Sequence, residues 1–299
     1  SISFIIIIVT FQSKSPNEII VILGLFLAAA YKILPSIVRI LVSSGHLQYS
    51  FLIIENLYNE INEFRKTNPN KESLTKINFE NKISVKNINY NYKNSKELFK
   101  NLNLEINKGE MIGIIGESGS GKSTLVDLLI GLIEPKEGSI EVDDIDISKI
   151  LKNWQKKIGY VPQDVFLFDD TLAKNIALGF NDNEINLQRI KEVIKLSDLD
   201  TFTNNLDDSI NTFLGERGSR ISGGQKQRIG IARALYSEPE ILILDEATSA
   251  LDLNTERKII ETINNLKFKT TIIIISHRDS TLKNCQKIYK LNNKQLHAI

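Results

Sequence analysis

The sequence contains one cysteine, Cys285, among 299 residues. A single thiol excludes a disulfide within the chain and a metal cluster held by cysteines. A lone cysteine of this kind is usually a small packing residue, and its scarcity fits a reducing, cytosolic setting.

The chain also lacks an excess of charge of either sign, because 37 Lys and Arg residues stand against 36 Asp and Glu, for a net charge of +1. Proteins that bind nucleic-acid backbones usually carry a broad basic surface. We therefore expect no nucleic-acid partner. With 42% hydrophobic and 24% charged residues, the composition is otherwise ordinary for a globular protein, so most of the chain should fold.

Long uncharged runs are confined to the N-terminal part of the chain. Residues 1–11 are apolar without an initiator Met or a basic segment, which argues against a signal peptide and favours a membrane helix cut at its start. A polar turn at 12–17 precedes a second apolar stretch, 18–41, which exceeds the about 20 residues needed to cross a bilayer. Two membrane spans are therefore predicted.

Two basic residues, Lys32 and Arg39, lie in or near the inner half of the second predicted span, with Pro35 between them. A charge deep in a membrane faces a water-filled cavity or a substrate path, whereas one near a helix end reaches back to the interface. Both interpretations stay open, and Lys32 and Arg39 are candidates for a substrate path.

The pattern changes again after this span. Residues 46–64 continue a helical pattern with more polar side chains, as expected of a helix leaving the membrane. We therefore assign 1–64 to the last two helices of a truncated membrane domain, 65–82 to a charged linker, and 83–299 to a separate folded domain.

A glycine-rich loop lies between a strand-like run, 111–115, and an apolar helical stretch, 125–132. In that context glycines let backbone N–H groups face phosphates, Lys122 reaches the β- and γ-phosphates, and Ser123 ligates Mg²⁺. A plain strand-to-helix turn is the alternative, and the strand before and helix after disfavour it. The predicted phosphate contacts are Gly116, Ser118, Gly119, Ser120, Gly121, Lys122, Ser123 and Thr124.

A second apolar run, 241–244, ends in the acids Asp245 and Glu246, which is typical of a buried parallel strand that delivers carboxylates to a sheet edge. Asp245 could hold Mg²⁺, and Glu246 could orient or deprotonate an attacking water. Acids in this position also occur as helix caps, so the pair alone does not decide between the two roles.

The segment Ile221-Ser222-Gly223-Gly224-Gln225 is similar to the LSGGQ signature of ABC ATPases, with Ile in place of Leu. Further motifs follow the family's order. The match to the Q-loop, the D-loop, the switch histidine and the adenine-stacking aromatic assigns these roles to Gln163, Asp252, His277 and Tyr92, respectively.

This resemblance implies an α/β P-loop NTPase domain of the ABC type, with an antiparallel β region at about 83–115 and a helical insertion at about 172–230, preceded by two membrane helices. It implies ATP and Mg²⁺ as cofactors. Asp245 and Gln163 would position Mg²⁺ with Ser123. Of the predicted catalytic residues, Glu246 would activate water, His277 would stabilise the transition state and Lys122 would hold the phosphates.

The resemblance also implies a partner, since the signature residues Ser222, Gly223, Gly224 and Gln225 would close over ATP held by a second ATPase domain. The chain holds one set of motifs, so the partner would be a second copy or a related half-transporter. An identical copy, giving a homodimer, is the simplest outcome.

The segment 215–218 resembles one found in ABC exporters, where it contacts the membrane domain. The helix around Lys32 and Arg39 resembles bacterial flippases of the PglK type, which move lipid-linked oligosaccharides. These resemblances imply a multi-pass protein of the bacterial inner membrane with a cytoplasmic ATPase domain, moving a lipid-linked oligosaccharide. Export of another lipid such as lipid A, of a peptide or of a drug is the alternative.

Other ABC classes fit less well. DNA-repair members insert a long coiled coil into the segment that here runs from Gln163 to Ser222, and translation factors carry two ATPase domains without a membrane span. An ATPase that only regulates a membrane partner remains open. His46, His297 and Trp154 match no motif, so structural or surface roles are expected for them.

Overall fold

The computed structural model describes residues 16–67, 78–93, 95–215, 218, 221–248, 250–266 and 270–299. The chain divides into two compact units, Ser1–Glu72 and Ser73–Ile299.

In the described part of the first unit, residues 16–67, the chain forms a long helix, α1, from Pro16 to Thr67. Proline fits the first turn of a helix because its missing N–H would be unpaired there, and Glu18 adds a favourable charge in the same turn. Its 52 residues make α1 about 78 Å long, far more than the about 30 Å of a bilayer core. By length and composition its segment Ile20–Asn62 could cross a membrane, since an 18-residue window within it has a mean hydropathy of 2.1.

The helix bounds differ from the predicted ones. The polar residues expected to form a turn at 12–17 include Pro16 and Asn17, which lie within α1. The predicted linker, 65–82, likewise overlaps the helix, which ends at Thr67. The first predicted span, 1–11, lies outside the described residues.

The second unit begins earlier than predicted. Phe79 is fully buried, its carbonyl accepts a hydrogen bond from Lys108 Nζ, and that ammonium lies 5.7 Å from the centre of its ring. Phe79 thus packs in the second unit although it precedes residue 83, the predicted start of the folded domain. A single aromatic anchor inside a charged stretch gives no periodic signal.

One sheet of the second unit is antiparallel, with strand order β2-β1-β4-β5. Its strands alternate buried and exposed side chains over parts of their length, as in a sheet with one face on the core. Their bounds are β1, Lys82–Tyr90; β2, Phe99–Asn107; β4, Glu137–Val142; and β5, Ile145–Asp146.

The other sheet has the order β10-β9-β3-β8-β7-β6, and all its pairs are parallel except β10 with β9. The central strands are nearly all buried, which explains their continuous apolar runs. Their bounds are β3, Met111–Ile115; β6, Ile158–Val161; β7, Ile241–Asp245; β8, Thr271–Ile275; β9, Lys287–Asn292; and β10, Gln295–Ala298.

The antiparallel region predicted at 83–115 is therefore corrected in two ways. Its last part, Met111–Ile115, belongs to the parallel sheet, and two strands from 137–146 complete the antiparallel one. Sequence alone does not distinguish these pairings because they join segments far apart in the chain.

Helices cover the parallel sheet. Those that follow β6 and precede β7 in the chain form a separate helical layer. The helical region predicted at 172–230 extends to Tyr236, the end of α7. The bounds are α2, Lys122–Ile130; α3, Leu151–Gln155; α4, Leu172–Ile176; α5, Leu187–Leu196; α6, Asp200–Asn204; α7, Gly223–Tyr236; α8, Leu253–Leu266; and α9, Asp279–Leu282. Single 3₁₀ turns occur at Ile147–Lys149, Asp182–Glu184 and Ser209–Asn211.

The core of this unit forms two clusters, one between the antiparallel sheet and one face of the parallel sheet, the other under the helical layer. Trp154 packs in the first cluster and its indole N–H donates to the carbonyl of Leu129 at 2.8 Å. Cys285 packs at the edge of the second cluster. Trp154 is thus a core residue, while His46 and His297 are exposed.

Candidate active site

Four neighbouring strands of the parallel sheet, β3, β8, β7 and β6, end at the same edge. The phosphate loop, 116–121, follows β3, and His277 follows β8. Asp245 ends β7 with Glu246 next to it, and Gln163 follows β6. Parallel strands place their carboxyl ends together, so the topology brings these distant segments into one site.

The phosphate loop has the backbone conformation that its glycines permit. Gly121, at the N-terminus of α2, has φ 105°, a region that other residues rarely adopt. At Gly116 a Cβ atom would lie 2.8 Å from the carbonyl oxygen of Leu291, so only glycine fits. The loop therefore passes close to β9 and turns sharply into α2, which leaves backbone N–H groups at the helix start for an anion.

The ammonium of Lys122 donates to the loop carbonyls of Gly116, at 2.8 Å, and Glu117, at 3.0 Å. Ser120 Oγ is buried and, within the part of the chain that the structure describes, has no hydrogen-bond partner. A buried hydroxyl without a partner is costly, and a bound phosphate is one group that could accept from it. The loop thus suits a nucleotide phosphate.

The hydroxyl of Ser123 donates to Oδ2 of Asp245 at 2.9 Å. Burial raises the pKa of the Asp245 carboxyl above its ordinary value and Glu246 adds to this, while the hydrogen bond from Ser123 and the charge of Lys122 oppose it. A bound cation would offset the free-energy cost of burying this carboxylate in its charged form. That position is suited to a cation.

Hydroxyl, carboxylate and amide oxygens are the ligands that Mg²⁺ prefers. Ser123, Asp245 and Gln163 line one cavity and supply such oxygens. Among the described residues there is no cluster of three or more His, Cys, Asp or Glu side chains that could hold a metal ion alone. Such a donor set fits an ion that also takes oxygens from phosphates and water, as Mg²⁺ usually does.

Glu246 is held by contacts from both neighbouring strands. Gln163 Nε2 donates to its Oε2 at 3.1 Å, and His277 Nε2 lies 3.5 Å from its Oε1. Its backbone has φ 50°, the left-handed region, and its N–H donates to the carbonyl of Ile275 at 2.9 Å. An unfavourable backbone at a site residue is a recurrent feature of functional positions. Glu246 also lines the cavity, so this backbone conformation occurs at a residue of the candidate site.

Tyr92 reaches the same cavity from the antiparallel sheet. Its hydroxyl hydrogen-bonds the Thr124 hydroxyl at 2.9 Å, and its ring packs edge-on against Tyr90 at 5.2 Å. Tyr92 is 47% exposed and lines the cavity, so its aromatic side chain is available to a flat ligand.

The cavity measures about 740 Å³, a typical size for a small-molecule site. The predicted residues that line it are Tyr92, Ser118, Gly119, Gly121, Lys122, Ser123, Thr124, Gln163, Asp245, Glu246 and His277. Ser95, Lys96 and Leu98 also line it, and sequence reasoning missed them. Their nearness to Tyr92 in sequence was the available signal.

The signature residues do not line this cavity. Ser222 instead caps α7, accepting from Gln225 N–H at 3.3 Å, while the Gln225 side chain accepts from Ser222 N–H at 2.9 Å. The exposed Gly223 lies near the Ala250 side chain. The signature is therefore an exposed helix start that is separate from the phosphate loop.

Asp252, the predicted D-loop residue, caps α8. Its carboxylate accepts from the N–H groups of Asn254 and Thr255, both at 3.1 Å. A hydrogen bond with the Thr255 side chain lowers the pKa of this carboxyl most, and the backbone bonds lower it further. Gln227, which sequence reasoning missed, is buried in α7 and accepts from Ala250 N–H at 3.1 Å. Gln227 thus joins the signature helix to the segment before α8.

Comparison with known families decides the identity. The sequence profile described as ABC transporter matches residues 99–249, from β2 through the acids after β7. The chain belongs to the ABC transporter family. The P-loop ATPase fold, with antiparallel and helical parts around a parallel core, is that of an ABC ATPase domain, and the predicted fold class is confirmed.

Similar ABC proteins include a putative export ATP-binding/permease protein of Rickettsia typhi, 43% identical over 69% of this chain and 36% of its own. The leukotoxin translocation ATP-binding protein of Mannheimia haemolytica is 42% identical over 72% of this chain and 30% of its own. Heavy metal tolerance factor 1 of Caenorhabditis elegans is 37% identical over 82% of this chain and 31% of its own. This chain thus spans about a third of the length of these relatives.

Among solved structures, a bacterial Atm1-family ABC exporter with ATP bound is 32% identical, with a TM-score of 0.73. The similarity covers 82% of this chain and 44% of that one. The likeness to exporters agrees with the exporter-type ABC prediction from 215–218, of which Glu216 and Arg217 lie outside the described residues.

Proposed function

We propose that this protein is the ATP-driven subunit of an exporter of the bacterial inner membrane. In this proposal residues 1–64 belong to a multi-pass membrane domain and 83–299 form a cytoplasmic ATPase domain. The observation that carries the proposal is the placement of Glu246 between Gln163 and His277, at the rim of a cavity that the phosphate loop also lines.

The site would bind Mg²⁺-ATP through its own oxygens, amides and one ammonium. Lys122 would exchange its two loop carbonyls for phosphate oxygens, since a charge-assisted bond to phosphate is the stronger one. Ser123, Asp245 and Gln163 would hold Mg²⁺, which supplies charge neutralisation at the phosphates. Tyr92 would stack on the adenine with its accessible face.

Hydrolysis requires a base that is oriented before the reaction. Glu246 can accept a proton from water, and its two oxygens are each fixed by a neighbour. His277, 52% exposed beside it, lies where it could stabilise charge on the transferring phosphate. The residues therefore support general-base hydrolysis of ATP.

Two copies of the ATPase domain would form the complete site. The signature residues Ser222 and Gly223 are exposed and do not contribute to the cavity of their own chain. An exposed helix start is suited to an anion held by a partner. A homodimer, or a pair with a related half-transporter, would bury this surface against ATP.

The helix α1 carries a polar stripe that supports an anionic substrate. Residues spaced alternately by four and three share one helix face, and every residue of the set is polar and exposed. The stripe consists of Lys32, Ser36, Arg39, Ser43, His46 and Ser50. In a membrane helix such a face points to other helices or to a water-filled path rather than to lipid tails.

We propose a lipid-linked oligosaccharide as the substrate. Its pyrophosphate carries at least two negative charges, and Lys32 and Arg39 on the stripe would lower the cost of moving them across the membrane. His46, to which we gave a structural or surface role, shares the same face and would add hydrogen-bonding capacity.

The runner-up is an ABC exporter of another lipid, a peptide or a drug, since relatives are named for leukotoxin translocation and heavy-metal tolerance. A non-transporting ATPase is the third candidate. Reconstituted transport separates it from the other two.

The test uses the full-length protein in proteoliposomes, with ATP hydrolysis measured with and without polyprenyl-pyrophosphate oligosaccharide. We expect stimulation by this lipid that Lys32→Ala and Arg39→Ala weaken. Gln48→Ala, a polar position on the opposite face of α1, should retain it. ATP hydrolysis that ignores the lipid would keep the exporter and discard this substrate, whereas no hydrolysis at all would reject the ATPase proposal.

A further inference from the structure

The carboxylate of Glu256 receives three hydrogen bonds from the segment that follows His277. The donors are Arg278 NH1 at 2.5 Å, Ser280 Oγ at 2.9 Å and Thr281 Oγ1 at 3.1 Å. Glu256 is only 2% exposed, although it lies on α8 and not on the segment it binds. A buried carboxylate needs such partners, because leaving water without them is costly.

The same turn of α8 is tied to the predicted D-loop. Glu256 N–H donates to the carbonyl of Asp252 at 2.8 Å, and the Asp252 carboxylate caps the first turn of α8. Glu256 therefore joins α8, the helix that Asp252 caps, to the segment that begins at His277.

His277 itself has few restraints. Its imidazole is about half exposed, and its Nε2 lies 3.5 Å from Oε1 of Glu246. On its C-terminal side, the Arg278 backbone N–H donates to Ser276 Oγ at 3.0 Å, and the Arg278 side chain ends on Glu256. The position of the imidazole thus depends on how Arg278 and the next residues are held.

We infer that Glu256 is a positioning residue for His277, holding the segment that carries the imidazole in reach of the transferring phosphate. The inference rests on the proposed ATPase function. It also links the position of His277 to that of Asp252, so a partner domain that contacts the Asp252 segment would act on His277 through α8.

The experiment compares Glu256→Gln with Glu261→Gln in the full-length protein. Both substitutions remove one carboxylate from α8, but Glu261 is exposed. We expect kcat for ATP hydrolysis to fall about ten- to a hundredfold in Glu256→Gln, with KM for ATP changed less than about twofold, because a small misplacement near a reacting group affects chemistry more than binding. Glu261→Gln should match the unaltered protein.

A double-mutant cycle with His277→Ala separates positioning from general structure. If Glu256 acts through His277, adding Glu256→Gln to His277→Ala should lower kcat by less than about twofold. A full additional loss would overturn the inference, as would unchanged kcat in Glu256→Gln alone.

Ser280→Ala removes one donor without disturbing the Arg278 contact, and serves if Glu256→Gln fails to fold. A kcat about threefold lower with unchanged KM would support the inference, and an unchanged kcat would overturn it. If the unaltered protein does not hydrolyse ATP, the proposed function fails first. Active unaltered protein with normal Glu256 and Ser280 variants rejects this inference alone.

Discussion

Gln163 Nε2 donates a hydrogen bond to Oε2 of Glu246 at 3.1 Å across a sequence separation of 83 residues. The contact exists because β6 and β7 are neighbouring parallel strands, with Val161 opposite Leu244. Each residue follows the end of its strand, so the pairing of the strands sets the distance between their side chains. The loop after β6 can therefore sense and orient the proposed base.

Replacing Glu246 with Gln should abolish most hydrolysis while leaving ATP binding intact. The amide keeps the size of the side chain but cannot accept the proton, and general-base groups contribute about 10²–10⁴-fold in rate. The measurement is single-turnover ATP hydrolysis beside equilibrium ATP binding, with the exposed Glu134→Gln as control. Equal loss of binding and hydrolysis in Glu246→Gln would reject Glu246 as the base.

Asp245 should make the ATPase domain less stable as pH rises. Burial raises its pKa, so the folded protein binds this proton more tightly than the unfolded chain does. Stability from this group is present below its ordinary pKa and is lost as pH increases through the raised value. Asp245→Asn should abolish this pH-dependent loss of folding stability, because an amide does not titrate.

Thermal unfolding without Mg²⁺-ATP at a series of pH values checks this expectation. Asp245→Asn should have the higher Tm at neutral pH and should converge with the unaltered protein at acidic pH, although it should not hydrolyse ATP. The exposed Asp207→Asn is the matched control and should follow the unaltered protein. A lower Tm for Asp245→Asn at every pH would contradict the electrostatic account.

Trp154→Ala should destabilise the ATPase domain by about 3–5 kcal/mol, the usual cost of removing a large aromatic from a core. The side chain is 2% exposed behind α2, and its loss also leaves the Leu129 carbonyl without its donor. Denaturant unfolding measures the effect. Leu253→Ala, 70% exposed, should change stability by no more than about 0.5 kcal/mol, and a similarly small effect at Trp154 would refute the packing argument.

The proposed dimer predicts a specific result for mixed variants, tested in a Glu246→Gln background that retains bound ATP. Ser222→Arg should prevent the signature from binding the partner's ATP, and Lys122→Ala should weaken phosphate binding by the loop. Each site combines the phosphate loop of one chain with the signature of the other. In a dimer of one Ser222→Arg chain and one Lys122→Ala chain, both substitutions therefore fall in the same site, and the other, unaltered site should retain one ATP. Each variant paired with itself should retain none. Retention by Ser222→Arg alone would show that the signature does not act on a partner.

The phosphate loop was predictable because its chemistry is local. Consecutive residues from Gly116 to Thr124 contain the glycines, the cation and the hydroxyls, and a strand and a helix flank them. The catalytic role of Asp245 and Glu246, at the end of β7, was less certain from these two residues alone, since acids in this position can also cap a helix. Their role depended on the signature, which carried the family resemblance.

Other features had no local signal. The buried Phe79 stands alone in a charged stretch, so no pattern in the sequence indicated that it packs in a core. Glu256 looks like an exposed helix carboxylate in sequence, and only folding brings Arg278 and Ser280 to it. Similarly, β4 joins the antiparallel sheet by pairing with β1, which is distant in sequence, and β5 is added at the edge by pairing with β4.

The sequence by itself determined the reactive groups and the order in which they occur, because glycine-rich turns, apolar strands and membrane-length runs depend on neighbouring residues. The tertiary structure decided which groups meet. The order of β3, β8, β7 and β6 places Lys122, His277, Glu246 and Gln163 at one sheet edge, and the burial of Glu256 ties two loops together. Such contacts depend on strand pairing and packing between distant segments, and no stretch of neighbouring residues encodes them alone.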